Sequence, residues 1–572
     1  MLGQKGFANP QRRTSLITTL LLGAMISLLG SIEITSAQQR PEHQAQRPLP
    51  KEQPGDADVM QPDEEAIVQN GLTQDQVDEA IHRLIAALYE SQADDGGWYG
   101  AFHDGPDEPA SRNDWGPSSM ALLALVTAGE LPEQEAIQSG LKHLTGQEIT
   151  GLYPLSMRTQ LLSKVADDEK MRQLLEIDTM TLLNSAHELS RFDYRVGLDP
   201  QPSRGRIDNS TTQYGVIGVW SAGQAGLKSS KKFWSDVIAN FLETQQPDGG
   251  WSYSGNRNTT ESMTVAGLTC LYLAQQNIAR QNATPNRQIQ DAIERGLAFL
   301  EDNYDPGQMV DSAWDYRLEY NWLGYARIGQ LSGNWRFNQT DVYEDIANRI
   351  ANDNRQFGNR IHAMAFRLMF LTESSQPVWI NKLKIEDTAW NNRPNDVYFL
   401  NQYIGHYNRA ALNWRVVDLN TSSKDWANAP VLWLSADDKI DWTNEQAENI
   451  KRYLDQGGTL IANPEHQGKH EAFRASIKQL AKKMYPDLTF EIMAEDHPLA
   501  TRKERGLVVP RGVEALNYKD RAIIVVPKQD WGRAMQSDEN PGIRKHEAWY
   551  VLTNLFDQVN EAGLIKPRLY KP

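Results

Sequence analysis

Cysteine is almost absent. Cys270 stands alone in 572 residues, which excludes a disulfide framework and any site built on a cysteine pair. It lies in the apolar run 265–273, where a thiol packs as a small hydrophobe. Positive charge is also in deficit: 58 Lys and Arg against 74 Asp and Glu leave a formal net charge of -16. Nucleic acid and anionic lipid are therefore not expected as partners, because clustered cations are what neutralise phosphate. Beyond Leu29 no apolar run approaches the roughly 20 residues that cross a bilayer as a helix.

What is present begins with an export signal. Arg12-Arg13, an apolar stretch over 16–29 and Thr35-Ser36-Ala37 follow the order of basic region, hydrophobic region and small-residue cleavage site. Residues 1–37 are thus expected to carry the chain to the periplasm or beyond, with membrane contact only through this segment if it stays uncleaved. Residues 38–72 are rich in Gln, Pro, Glu and Asp, hold almost no large apolar side chains, and read as a disordered linker. A chain of this length requires at least two further cores.

From 73 to 375 the periodicity is helical, broken by Gly, Pro and Asn loops. One motif occurs twice. Gln92-Ala93-Asp94-Asp95-Gly96-Gly97-Trp98 follows a helix over 74–90, and Gln245-Gln246-Pro247-Asp248-Gly249-Gly250-Trp251 follows a helix over 231–244. Each precedes a polar loop and a small, apolar helix, over 118–129 and 261–274. Weaker copies pair outer helices over 133–147, 168–188, 287–303 and 342–354 with inner helices over 156–164, 211–223, 318–331 and 361–371. Six hairpins is the number that closes an α/α toroid, and the Gly-Gly-Trp element would serve as the joint between pairs.

After 376 the texture changes. Residues 429–435 and 458–462 read as buried strands bracketing a helix over 444–455, with further strands over 411–419 and 522–527 and helices over 470–484 and 545–560. This alternation predicts a C-terminal α/β domain with a parallel sheet, reaching 572.

The repeated Gln-x-x-Asp-Gly-Gly-Trp resembles the QW motif of squalene–hopene cyclases and their prenyltransferase relatives, which implies the fold but no particular chemistry. The Asp-x-Asp-Asp acid of those cyclases has no counterpart, since Val165-Ala166-Asp167-Asp168 and Ser435-Ala436-Asp437-Asp438 both lack the first Asp. The prenyltransferase zinc site needs a cysteine beside Asp and His, and the Cys-Gly-Glu-Gln string of helical thioester domains is missing, so no cofactor is expected. Tyr320-Asn321-Trp322-Leu323-Gly324-Tyr325, Val378-Trp379-Ile380-Asn381-Lys382, Trp390-Asn391-Asn392-Arg393-Pro394-Asn395-Asp396-Val397, Gly457-Gly458-Thr459-Leu460 and Asp496-His497-Pro498 resemble the bacterial module named domain of unknown function 4159. That resemblance implies a sheet like that of class I glutamine amidotransferases. The turn after Ala462 reads Asn463-Pro464-Glu465-His466, with no nucleophilic Cys or Ser.

Inner helices of a toroid begin at its mouth, so their first residues are the candidate binding surface: Asp114 and Trp115, Asn209 and Thr212, Thr260 and Glu261, Asp315, Tyr316 and Tyr320. Aromatic walls with a few carboxylates suit an apolar isoprenoid-like molecule or a glycan. N-caps and core aromatics are the alternative reading of the same residues. In the second domain Glu465, His466 and His470 follow a strand end and could hold a metal, although a solvated turn is the favoured reading. Asp437 and Asp438 could hold a cation, with capping of the next helix as the favoured reading, and Asp496-His497-Pro498 reads equally as an acid–base pair or as a turn before proline. The leading expectation is an exported toroid that binds a small hydrophobic molecule, a glycan or an envelope protein. The alternative is a terpenoid- or lipid-processing enzyme with Asp315 and Glu261 as acids. No catalytic residue is assigned.

Overall fold

The computed structural model describes residues 72–100, 116–197, 207–254, 258–279, 286–306, 317–353 and 360–565, apart from 387, 421–422, 466–469, 501–511 and 537–546. The expected signal and nearly all of the expected linker lie outside these residues. Among those described, no helix is long and apolar enough to cross a membrane.

Among the described residues of the N-terminal half, twelve α-helices alternate between two kinds. The outer set is α1 (Gln74–Glu90), α3 (Glu135–Thr145), α5 (Glu169–Asn184), α7 (Lys231–Thr244), α9 (Arg287–Asn303) and α11 (Val342–Ala351). These helices bury one stripe. In α1 it is Val77, Ala80, Ile81, Leu84 and Leu88, begun by a capping box between Thr73 and Gln76. The inner set is α2 (Gly116–Thr127), α4 (Leu152–Val165), α6 (Asn209–Gln224), α8 (Glu261–Ala279), α10 (Arg317–Ser332) and α12 (Ile361–Ser374). Their residues are buried nearly all round, as small and apolar sequences allow. Each inner helix packs against the next in chain order, and α12 closes on α2.

The two Gly-Gly-Trp elements are built alike. Trp98 Nε1 donates to Leu88 O at 2.7 Å and Trp251 Nε1 to Phe241 O at 2.9 Å. Gln92 bonds Gly96 O and reaches Ala136 O at 2.9 Å, while Gln245 bonds Gly249 O and reaches Ala292 O at 2.8 Å, tying each outer helix to the start of the next. Gly96 and Gly249 sit at φ +86° and +91°, where a side chain is strained. The indole plates fill notches left by Gly140 beside Trp98 and by Gly267 and Gly296 beside Trp251.

The C-terminal half carries seven strands: β1 (Val378–Lys384), β2 (Asn413–Asp418), β3 (Val431–Ala436), β4 (Thr459–Pro464), β5 (Phe490–Ile492), β6 (Glu514–Tyr518) and β7 (Arg521–Val526). They are ordered β2-β1-β3-β4-β7-β6-β5 in one sheet. The first five in that order are parallel, whereas β6 pairs antiparallel with both β7 and β5, so the sheet is mixed rather than parallel throughout. Helices α13 (Asp396–Asn408), α14 (Asn444–Asp455), α15 (His470–Met484), α16 (Trp531–Met535) and α17 (Glu547–Glu561) accompany it.

Edge strand β2 lies against the carboxyl ends of α10 and α12. Val416 N donates to Gly333 O at 2.8 Å, Trp414 Nε1 to Gln330 O at 2.9 Å, and Asn413 Nδ2 to Glu373 O at 3.0 Å and Ser374 O at 3.2 Å. Gly333, at φ +73°, leaves room for the Trp414 ring.

Candidate functional site

Of the sequence candidates at the ring mouth, Asp114, Trp115, Asp315 and Tyr316 lie outside the described residues. Thr212 is buried, and its hydroxyl accepts from Phe192 N at 3.2 Å. Asn209 Nδ2 donates to Ser252 O at 2.9 Å, and Thr260 caps α8 through Met263 N at 3.3 Å. These side chains hold backbone, as N-caps and core polar groups do. Glu261 accepts from Tyr325 OH at 2.7 Å. Burial raises its carboxyl above the ordinary range, and the bonds from Tyr325 and Asn321 pull it partly back.

Tyr320 stands at the centre of a cluster that the sequence did not single out. Its hydroxyl donates to Gln213 Oε1 at 2.6 Å and lies 3.1 Å from Ser210 Oγ, which in turn is 2.8 Å from Tyr153 OH. The amide oxygen of Gln213 can only accept. The protons of the chain therefore run from Tyr153 to Ser210 to Tyr320 to Gln213. That order leaves the Tyr153 oxygen as an acceptor at the head of the chain. Tyr214 stacks with Tyr320 at 6.0 Å and meets Tyr153 edge-on at 4.9 Å. Asp208, the N-cap of α6, accepts from Thr211 N at 2.8 Å and is bonded by Tyr194 and Tyr253, whose hydroxyls also meet each other. Burial raises the Asp208 carboxyl, and these donors counter it. A signal for this cluster was present in the run Asp208-Asn209-Ser210-Thr211-Thr212-Gln213-Tyr214, which is polar where inner helices are otherwise apolar.

A second constellation sits at the carboxyl edge of the sheet, where β1 and β3 diverge to opposite sides and open α/β folds bind ligands. Lys382 Nζ bonds Asp396 Oδ1 at 2.6 Å and Arg393 O at 2.7 Å, and Trp433 Nε1 donates to Asp396 Oδ2 at 3.0 Å. Arg393 bonds Asp530 at 3.0 Å. Asn463 Nδ2 donates to Ser435 Oγ at 3.0 Å and Asp530 Oδ1 at 3.2 Å. Glu465 is not in a solvated turn: it is fully buried, accepting from Ser435 Oγ at 2.9 Å and Asn392 Nδ2 at 2.8 Å. His466 lies outside the described residues, and His470 Nε2 turns to Glu471 at 3.5 Å. No group of three His, Cys, Asp or Glu suited to a metal occurs among the described residues. Asp437 and Asp438 cap no helix: Asp438 accepts from Lys439 N at 2.7 Å, and α14 is capped by Thr443. His497 Nδ1 accepts from Leu499 N at 3.1 Å, which closes a turn.

Burial is the largest cause that moves the Glu465 carboxyl from 4.5 to about 7. The folded chain then holds a proton that the unfolded chain releases, so stability falls as pH rises from 4.5 to 7 and levels off beyond. Replacing Glu465→Gln removes that slope. Between pH 4 and 8 the stability of the variant should gain about 3 kcal/mol relative to the parent, measured by urea unfolding across pH. Parallel profiles would mean that the carboxyl is ionised in the folded state.

Residues 379–556 match the family model described as Domain of unknown function (DUF4159). No curated protein matches the chain. Among solved structures, an inactive variant of the α-1,6-mannanase GH76A of Salegentibacter sp. HEL1_6, in complex with α-1,6-mannotriose, is similar with a TM-score of 0.39 at 7% identity. That match covers 52% of this chain and 98% of the mannanase. A variant of the type II terpene cyclase MstE from Scytonema, in complex with merosterolic acid A, is similar with a TM-score of 0.36 at 12% identity, covering 52% of this chain and 97% of the cyclase.

Proposed function

We propose that the closed ring of inner helices is a six-hairpin α/α toroid, that the protein acts outside the cytoplasm, and that the toroid mouth binds a polyhydroxylated, glycan-like ligand. The observation that carries this reading is the hydroxyl chain Tyr153–Ser210–Tyr320–Gln213 beside the Tyr194–Tyr253–Asp208 group. An apolar hydrocarbon would offer no donor to the Tyr153 oxygen at the head of the chain, at a cost of about 1–3 kcal/mol. A sugar supplies donors to Tyr153 Oη and Asp208 and an apolar ring face to the aromatics. The α/β half is a second unit of the same protein.

Isothermal titration with neutral oligosaccharides of two to four units tests the reading. Tyr153→Phe should weaken binding about tenfold, the effect of about 1.4 kcal/mol for a hydrogen bond to a ligand hydroxyl. A protein that ignores every oligosaccharide but retains an isoprenoid through purification would overturn it. Acid catalysis on an apolar substrate is the alternative; Glu261, raised by burial and held by Tyr325, supports it as the acid.

A further inference from the structure

Along the inner helices most positions are buried, and several of the exceptions fall two turns apart on one face. Tyr153 and Gln160 on α4, and Tyr320 and Arg327 on α10, keep accessible surface and are seven residues apart. Trp220 follows the buried Gln213 by seven on α6, and Glu373 follows Phe366 by seven on α12; both keep accessible surface. Seven residues are two helical turns, or about 10 Å along the axis. A second layer therefore lies below the hydroxyl chain: Gln160, Trp220, Arg327 and Glu373, drawn from four different helices.

The opposite faces of these helices are accounted for. Tyr325, two residues before Arg327 and so about 200° round the helix, meets Tyr304 and Phe337 on the outer side. On α8, Gly267 packs on Trp251 on the outer side, which turns Thr269 and Gln276 inward by about 200° and 180°. Both are buried, and Thr269 Oγ1 and Gln276 Nε2 have no hydrogen-bond partner. Both atoms are open to a polar partner from outside the chain, water or ligand. The Arg327 guanidinium lies 5.6 Å over the Tyr214 ring, and among the described residues no carboxylate stands at ion-pair distance from it. Glu373 faces Arg327 and Lys164 and keeps some accessible surface. Burial raises its carboxyl, against the pull of Arg327 and Lys164.

We propose that this lower layer is a subsite for a carboxylate, with Arg327 as its cation and Gln276 and Thr269 as further donors, so that the ligand of the ring is an acidic glycan whose uronate group reaches past Tyr320. The inference rests on the glycan reading of the mouth. A guanidinium gives two parallel donors to a carboxylate, and among the described residues of the layer Glu373 alone opposes the charge.

The experiment uses the full chain and two probes, galactotriose and trigalacturonate, titrated calorimetrically. The parent should bind the acidic probe about tenfold more tightly, Arg327→Gln should abolish that preference while keeping affinity for galactotriose, and Arg327→Lys should restore part of it. Gln276→Ala, a small change that creates no charge imbalance, should weaken the acidic probe alone by about threefold, which keeps the test valid if Arg327→Gln unfolds. Equal affinities in the parent, or a preference that survives in both Arg327→Gln and Gln276→Ala, overturn the subsite but leave the mouth reading standing. Binding of neither probe removes the mouth reading and the subsite with it.

Discussion

Lys382→Met is expected to destabilise the α/β half by about 3–5 kcal/mol, because it leaves Asp396 buried without its cation. The two side chains are 1% and 0% exposed, and the 2.6 Å contact between them is reinforced by Trp433 Nε1 on the other carboxylate oxygen. Burial already raises the Asp396 carboxyl, chiefly against the pull of Lys382, so its removal drives the group toward the protonated form. Pairing the change with Asp396→Asn should recover much of the loss, since a neutral amide needs no counter-ion. Lys439→Met supplies the contrast. Its pair with Asp441 is exposed, and such pairs contribute little. Guanidinium unfolding followed by tryptophan fluorescence reads all three variants, and a loss below about 1 kcal/mol for Lys382→Met would contradict the pairing described.

Trp251→Ala should cost the ring about 3–5 kcal/mol. The indole is fully buried, fits against Gly267 and Gly296, and bonds Phe241 O. Its loss opens a void between α7, α8 and α9 and strands a carbonyl at the end of α7. Ile177→Ala, at a site 58% exposed, should change stability by less than about 0.5 kcal/mol in the same thermal unfolding series. Similar effects at the two positions would mean that the indole is not a structural joint.

The helical half was legible because its signals are local. Stripes at helical spacing mark α1 and α9, and the glycine pair before each Trp marks the turn that needs left-handed backbone. The candidate sites were less legible because they are assembled across long distances in the chain. Tyr320 meets Ser210 110 residues away, and Glu465 meets Asn392 73 residues away. Glu465 follows Asn463-Pro464 and so reads as a turn; its burial is imposed by Ser435 on the neighbouring strand and by Asn392 beyond β1. Strand β1 was obscured by Asn381 and Lys382, polar residues buried with Asn381 Nδ2 bonded to Asn428 and Lys382 paired with Asp396. Strand β5, three residues long and mostly exposed, had no pattern to read. It forms the antiparallel edge together with β6, which is why a parallel sheet was expected.

The seam between β2 and the ring bears on how separable the two halves are. A strand whose outer rim is bonded by Gly333, and whose Trp414 and Asn413 are anchored on helix ends, has no finished border of its own. Freed from the ring, that rim would become an adhesive ribbon able to recruit another chain. The α/β half is thus not a portable cassette, and an isolated version would need a substitute cover along β2 to stay monomeric.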